Sequence, residues 1–333
     1  AVPSAESPTF ETLQWGRLHD WTRGPLEGPA NGLLNGQLVA LAALAARDGT
    51  LVRGLSAQGA FVVALKLPVL SAAETCIAIC LLTQTNEVLA KATLERLRLV
   101  QADFRTVGEV VAGLVPGGVD GLLLDLGVSS WQLDRPERGF SFRSEGPLDM
   151  RMDPGSGVPA SDLVNGLEPA ELARIFREYG EEPFARRIAA ALVRRRERAP
   201  FQTTSELAAA VELVVPRRGR MHPATRVFQA LRMAVNDETG ALDAALAAAP
   251  GMLRPGGRLA IIAFHSIEDR AVKDFLRGTC AVSLDRPEWP EPRPNPRHWF
   301  RAVNRRVMEP SEAEVAANPR ARSARLRAAE RIS

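Results

Sequence analysis

Asp125 closes an apolar run, Val119 to Leu126 (VDGLLLDL), and Gly127-Val128-Ser129-Ser130 follows it. A carboxylate in that position can accept hydrogen bonds from an amine or a ribose hydroxyl. The plain alternative is a carboxylate that caps a helix or fixes a loop. His265-Ser266 closes a second run, Arg258 to Phe264 (RLAIIAF). A histidine there suits proton transfer, and equally a hydrogen-bonded structural role. Serine, histidine and aspartate together raise the question of a hydrolase. Ser129 lacks the Gly-x-Ser-x-Gly elbow that would expose a nucleophile. No Walker phosphate loop, His-Glu-x-x-His zinc motif or early Gly-x-Gly-x-x-Gly fingerprint is present. Cys76 and Cys80 stand four apart in an apolar run without a partner pair or histidine nearby, which argues against a metal site.

Composition narrows the classes further. The chain has 333 residues, 46% hydrophobic and 24% charged, which suits a packed protein of about two domains and excludes wholesale disorder. Three cysteines cannot staple a chain this long, so a secreted disulfide scaffold is excluded. The net charge is only +3, but of 42 basic residues just Lys66, Lys91 and Lys273 are lysine. Arginine-rich coding bias accounts for this, and so does phosphate recognition through the planar guanidinium fork. No uninterrupted apolar run reaches about 18 residues, so no spanning helix is expected. No secretory signal is visible, and a cytoplasmic protein is the default. The chain opens on Ala1 rather than Met, which leaves room for an upstream segment.

The elements that must position these residues read as an α/β sheet. Glu109 to Leu114 reads as the end of a helix, Pro116-Gly117-Gly118 as a breaker, and Val119 to Leu126 as a buried central strand. Ala241 to Ala249 reads as a helix interrupted at Pro250-Gly251, and Pro255-Gly256-Gly257 as a second breaker before the strand Arg258 to Phe264. Ligands of such sheets bind at the carboxyl ends of strands, where Asp125 and His265 fall. From Asp134 to Pro216 the pattern turns helical, with helices expected at Pro169–Tyr179, Pro183–Arg198 and Thr204–Val214. Thr203 and Glu206 have the spacing of a capping box. Arg186, Arg187, Arg194, Arg195, Arg196 and Arg198, then Arg217, Arg218 and Arg220, make this block basic. A solvated helix face and a phosphate-binding surface are both open readings. The expected organisation is an unassigned segment 1–66, a main domain of 67–133 and 217–333, and a helical insertion of 134–216. A short helix is expected at Gly36–Arg47.

The segment Asp120 to Asp153, DGLLLDLGVSSWQLDRPERGFSFRSEGPLDMRMD, resembles the signature of the bacterial ribosomal RNA small subunit methyltransferase H family. So do GEEPFARRIAAALV (Gly180 to Val193), HPATRVFQALRMAVNDE (His222 to Glu238), PGGRLAIIAFHSIEDRAVK (Pro255 to Lys273) and NPRARSARLRAAER (Asn318 to Arg331). The matches run in order from about Leu97 to Ser333. The resemblance implies a Rossmann-like methyltransferase domain interrupted by a helical substrate domain. It implies methylation of the exocyclic N4 of a decoding-site cytidine in small-subunit ribosomal RNA, with S-adenosylmethionine as donor and no metal. By resemblance, Phe104 flanks the adenine, while Asp125 and Gln132 lie at the cofactor site. Asp125 or a neighbouring loop carbonyl is then the acceptor that holds the amino hydrogens. The target base has to be unstacked to enter, and the arginines of the insertion and of NPRARSARLR would hold RNA phosphates.

The N-terminal third departs from this pattern. Leu67 to Glu74 (LPVLSAAE) resembles the family's opening motif, with Lys66 where a histidine is usual. The family's first strand and its glycine-rich Asp-x-Thr-Leu-Gly-x-Gly-Gly-His loop have no counterpart, and Thr83 and Thr85 stand where acidic residues are usual. A sheet without its first central strand would hold a gap flanked by exposed edges. Three explanations stay open: an altered gene model, a diverged copy that keeps RNA binding, or a replacement cofactor loop from the novel N-terminus. Two functions follow, an RNA cytidine methyltransferase and a catalytically impaired RNA- or ribosome-binding remnant.

Overall fold

The computed structural model describes residues 59–65, 76–82, 97–128, 130–217 and 222–332. They divide into two compact units: a sheet unit of 59–65, 76–82, 97–127 and 242–332, and a helical unit of 128, 130–217 and 222–241. Nine strands are described: β1 (Gly59–Leu65), β2 (Cys76–Leu82), β3 (Leu97–Gln101), β4 (Val119–Asp125), β5 (Leu253–Ala263), β6 (Ser283–Leu284), β7 (Arg293–Pro294), β8 (Phe300–Ala302) and β9 (Arg325–Arg331). The helices are α1 (Val107–Leu114), α2 (Ser130–Asp134), α3 (Ala160–Gly166), α4 (Pro169–Glu178), α5 (Ala185–Arg196), α6 (Thr204–Glu212), α7 (Thr225–Asn236), α8 (Glu238–Met252), α9 (Ser266–Cys280) and α10 (Glu312–Ala317).

Seven strands form one mixed sheet in the order β3-β2-β1-β4-β5-β9-β8, and β6 and β7 form a small hairpin. β4 is parallel to both β1 and β5. Its burial explains its apolar centre: Leu122, Leu123 and Leu124 are fully buried, as expected of a strand covered on both faces. Leu122 and Leu124 share a core with Val107 and Val111 of α1, with Leu242, Ala245, Leu246 and Ala249 of α8, and with Val272 of α9. The spacing of these α8 residues marks one apolar helix face.

Two expectations need correction. The seat of the first central strand is filled. Gly59–Leu65 (GAFVVAL) takes it, pairing Phe61 to Ala64 with Gly121 to Leu124. This run lay in the segment left unassigned, yet it is the short apolar stretch rich in β-branched residues that a buried strand requires. The departure lies in direction: β1 and β2 are antiparallel, so no crossover helix is needed between them. Their connection, 66–75 (KLPVLSAAET), contains no glycine. The second correction concerns α8, which runs through Pro250 to Met252. Ala245, Ala249 and Met252 are all buried, and their packing holds the last turn despite the missing donor. The glycines expected to precede β5 lie within it, where the pairing with β4 jumps from Val119↔Leu253 to Gly121↔Arg258.

The helical unit has its own core. Leu172, Ile175 and Phe176 of α4, Ile188 and Leu192 of α5, Leu207 and Val211 of α6, and Val227 and Leu231 of α7 form it. Its limits, 128–241, enclose the expected insertion of 134–216 and add α7, which lies against α4. The capping box is present: the Glu206 amide donates to Thr203 Oγ1 (3.3 Å), and Glu206 Oε2 accepts from the Thr203 amide (3.1 Å). The helix expected at Gly36–Arg47, Lys66, the Leu67–Glu74 motif, Thr83 and Thr85 lie outside the described residues.

Candidate active site

The sheet gathers its strand ends on one edge. β2 is antiparallel to β1 and to β3, so β3, β1, β4 and β5 all point the same way. Their carboxyl ends present Phe104, Asp125 and His265 at the same margin of the sheet unit. Asp125 is the last residue of β4, opposite Ile262 of β5, and is half-buried. The next amide, of Leu126, donates to the Ile262 carbonyl (3.0 Å), so the ladder holds the backbone just beyond the carboxylate. Gly127 then turns at φ +83°, with the Phe264 ring 3.5 Å from where a Cβ would stand. Only glycine adopts that conformation without strain.

Phe104 sits in the short turn that follows β3. Asp103 caps this turn, accepting from the Arg105 amide (2.9 Å), while the Thr106 hydroxyl donates to the Asp103 carbonyl (2.8 Å). The ring is half-buried and lies against the sheet core. Gln132, the third residue expected at the site, belongs to α2 of the helical unit and is fully buried. The sheet unit thus brings Phe104 and Asp125 to one edge.

His265 has a structural task. It is the N-cap of α9, and its Nδ1 accepts from the Glu268 amide (3.4 Å). Its Nε2 lies 3.2 Å from Glu268 Oε1, and Glu268 Oε2 accepts from the Phe264 amide (2.9 Å). Both side chains are nearly buried. Imidazole and carboxylate together fix the turn that ends β5. Sequence reasoning missed Glu268, although the signal was legible: His265 and Glu268 have capping-box spacing, with imidazole in place of a hydroxyl.

The arginine block separates on inspection. Arg196 donates to the Val164 carbonyl (2.8 Å) and the Leu167 carbonyl (2.7 Å), satisfying the end of α3. Arg195 lies over the Phe201 ring at 4.5 Å, bonds the Ala199 carbonyl and faces Glu206 at 3.5 Å. Arg186, Arg187, Arg194 and Arg198 are exposed. In NPRARSARLR, Arg327 binds Asp269 through Nε (2.7 Å) and a second nitrogen (3.1 Å), and Arg325 adds a third bond (3.1 Å). Burial opposes the Asp269 charge, but these hydrogen bonds outweigh it and hold the carboxyl below its ordinary range. Cys76 and Cys80 both lie in β2, where an i, i+4 pair is about 13 Å apart along the strand, too far to share an ion. Among the described residues no helix is long and apolar enough to cross a membrane.

A mixed sheet with a parallel core and polar groups at its strand ends is a Rossmann-like α/β arrangement, which hosts many chemistries. The family model of the MraW methylase family matches residues 73–332, and the chain belongs to that family. Ribosomal RNA small subunit methyltransferase H of Methylobacterium sp. (strain 4-46) is 55% identical over 251 residues, covering 74% of this chain and 74% of the relative. The protein of that name from Thermomicrobium roseum is 53% identical over 241 residues, covering 72% of this chain and 73% of its own length. The one from Heliobacterium modesticaldum is 49% identical over 242 residues, covering 72% and 77%.

Proposed function

We propose that this chain uses S-adenosylmethionine to methylate the exocyclic N4 of a decoding-site cytidine in small-subunit ribosomal RNA, in the cytoplasm. The observation that carries the reading is the half-buried Asp125 carboxylate at the carboxyl end of β4, on the margin it shares with Phe104. The relatives' names supply small-subunit ribosomal RNA, and the cytidine N4 comes from the resemblance alone.

The edge residues fit the nucleoside part of such a donor. Phe104 offers a ring face to adenine, and Asp125 a carboxylate to a hydroxyl or amine. When bound, the donor supplies an electrophilic methyl group whose sulfonium leaves as a neutral thioether, so the transfer calls for no metal. A cytosine amino nitrogen is a poor nucleophile, because its lone pair is delocalised into the ring. Asp125, or a loop carbonyl beside it, accepts hydrogen bonds from the amino group and favours the pyramidal nitrogen that attack requires, and the proton the nitrogen sheds on methylation passes to the Asp125 carboxylate or to water. Holding the nitrogen in line with the methyl group adds the orientation term. On the RNA side, exposed Arg186, Arg187 and Arg194 supply cations for phosphates, whereas Arg195 and Arg196 are committed to the fold.

One observation favours a second reading. β1 and β2 are antiparallel, and the connection between them has no glycine where a cofactor's methionine end would need close backbone approach. A chain of this kind would bind RNA without transferring a methyl group.

Calorimetric titration with S-adenosylmethionine separates the two. Saturable binding is expected. With 30S particles as substrate, Asp125→Ala should lower methyl transfer by at least about 10²-fold. Absence of donor binding by the wild-type chain would leave the second reading standing. Normal turnover by Asp125→Ala would remove this carboxylate from the chemistry.

A further inference from the structure

The hairpin of β6 and β7 has no part in the chemistry above. Its loop and flanks read DRPEWPEPRPNPRHW, from Asp285 to Trp299. The Trp289 amide donates to the Arg286 carbonyl (2.9 Å), forming a tight turn at the tip. The guanidinium carbons of Arg286 and Arg293 each lie 4.9 Å from the centre of the Trp289 ring. Arg297 lies 5.4 Å from the centre of the Trp299 ring. Arg286 faces Glu288 only loosely, at 3.9 Å, with both side chains more than half exposed. Arg293 and Arg297 are themselves exposed, and no acidic partner is described for either.

The hairpin is firmly seated. The Asn295 amide donates to the Val282 carbonyl (2.9 Å), and its side chain donates to the Gly278 carbonyl (2.9 Å) and the Ala281 carbonyl (2.7 Å). The Trp299 amide donates to the Thr279 carbonyl (2.9 Å). Both anchors hold the last turn of α9. Arginine side chains ordinarily lose much rotamer freedom when they grip a partner. Here two are already ordered on an indole, so less is lost on binding.

We propose that this hairpin is a contact surface for single-stranded RNA, with Arg286, Arg293 and Arg297 on phosphates and Trp289 as a stacking platform. A strand alternates anionic phosphates with flat bases. Guanidiniums held against a half-buried indole offer a donor for the first and a π surface for the second. An acidic protein would use the cations and leave the ring without a task. The proposal rests on the RNA reading above only for its choice of RNA as polyanion.

The test is fluorescence anisotropy of a labelled oligouridylate against the full chain over a range of KCl concentrations. Methyl transfer to 30S particles is measured on the same preparations. Arg286→Ala/Arg293→Ala should lower the salt slope by about 1.4, the loss of two single-strand phosphate contacts. Trp289→Ala should weaken binding by about 2- to 5-fold, with Trp289→Phe keeping most of it. Thermal melts confirm that each variant is folded. A wild-type slope in the double arginine variant overturns the proposal while leaving the methyltransferase reading intact, and assigns the hairpin to a protein partner. Failure of the wild-type chain to bind any RNA overturns both. Reduced binding in a chain that transfers no methyl group supports the hairpin and sinks the enzymatic reading.

Discussion

The two flanks of β4 are built on different terms. On one side, β5, β9 and β8 follow with α8 and α9 between them in sequence, and α9 is clamped to β9 through Asp269 and Arg327. On the other side, β1 comes from a segment outside the family match of 73–332, and β2 runs against it. A β ladder asks of its neighbour only free backbone groups and a fitting apolar pattern, so a strand from unrelated sequence can close a sheet. A cofactor loop asks for particular residues at particular places. The sheet can therefore be complete on both sides whether or not the loop chemistry is kept on both, so a closed sheet is not evidence of a working cofactor loop.

The largest expected effect breaks the β5 side. Asp269 is 7% exposed and holds two arginines of β9. Asp269→Ala leaves Arg327 charged and nearly buried without its partner, and should cost about 3–5 kcal/mol in chemical denaturation. The same carboxyl sets an acid limit. Its folded pKa is depressed, so its stabilisation is full above the unfolded value near about 3.9 and is lost as pH falls through the lower folded value. Asp149, whose burial is outweighed by hydrogen bonds from Arg151, should behave alike in the helical unit. Stability of Asp269→Ala that matches the wild type at pH 7 would contradict the clamp.

A proline on the β1 side comes next. Val62 pairs with Leu122 of β4 and Ile79 of β2, in the interior of both ladders. Val62→Pro removes a ladder donor and should cost at least about 3 kcal/mol, with loss of solubility as the β4 edge opens. An unaffected melting curve would show that β1 is dispensable and that the β4 edge is covered in some other way.

What the sequence disclosed follows the range of the interactions involved. Thr203 with Glu206 was legible because a capping box is complete within four residues. β4 was legible because three consecutive leucines between breakers have few alternatives. The edge that collects Asp125 and Phe104 followed from strand direction and the family resemblance together. Long-range duties were not legible. Arg195 and Arg196 looked like phosphate ligands, and Arg327 looked like part of a basic tail; their partners lie 29 to 58 residues away or on another element. β1 was missed because its apolar run has meaning only beside β4. Thr203→Ala measures the legible kind of contact and should cost about 1 kcal/mol.

The smallest effect has the opposite sign and sharpens the contrast within the well-anchored flank. Glu314 of α10 is 8% exposed, and its Oε1 has no hydrogen-bond partner among the described residues. Burial raises its carboxyl above the ordinary range, against a weaker opposing bond from the Ser311 side. A raised folded pKa stabilises the fold below the unfolded value, near about 4.3, and that help is lost as pH rises through the folded value. Above the folded value the ionised carboxylate is therefore a burden. Glu314→Gln keeps the shape and removes the charge, and should raise stability at pH 7 by about 0.5–1 kcal/mol. The gain should shrink as pH falls towards 4, where Asp269 begins to lose its own contribution. Denaturation curves of the two proteins at pH 7 and pH 4.5 check this. A gain that is equal at both values would mean that it does not come from the charge of Glu314.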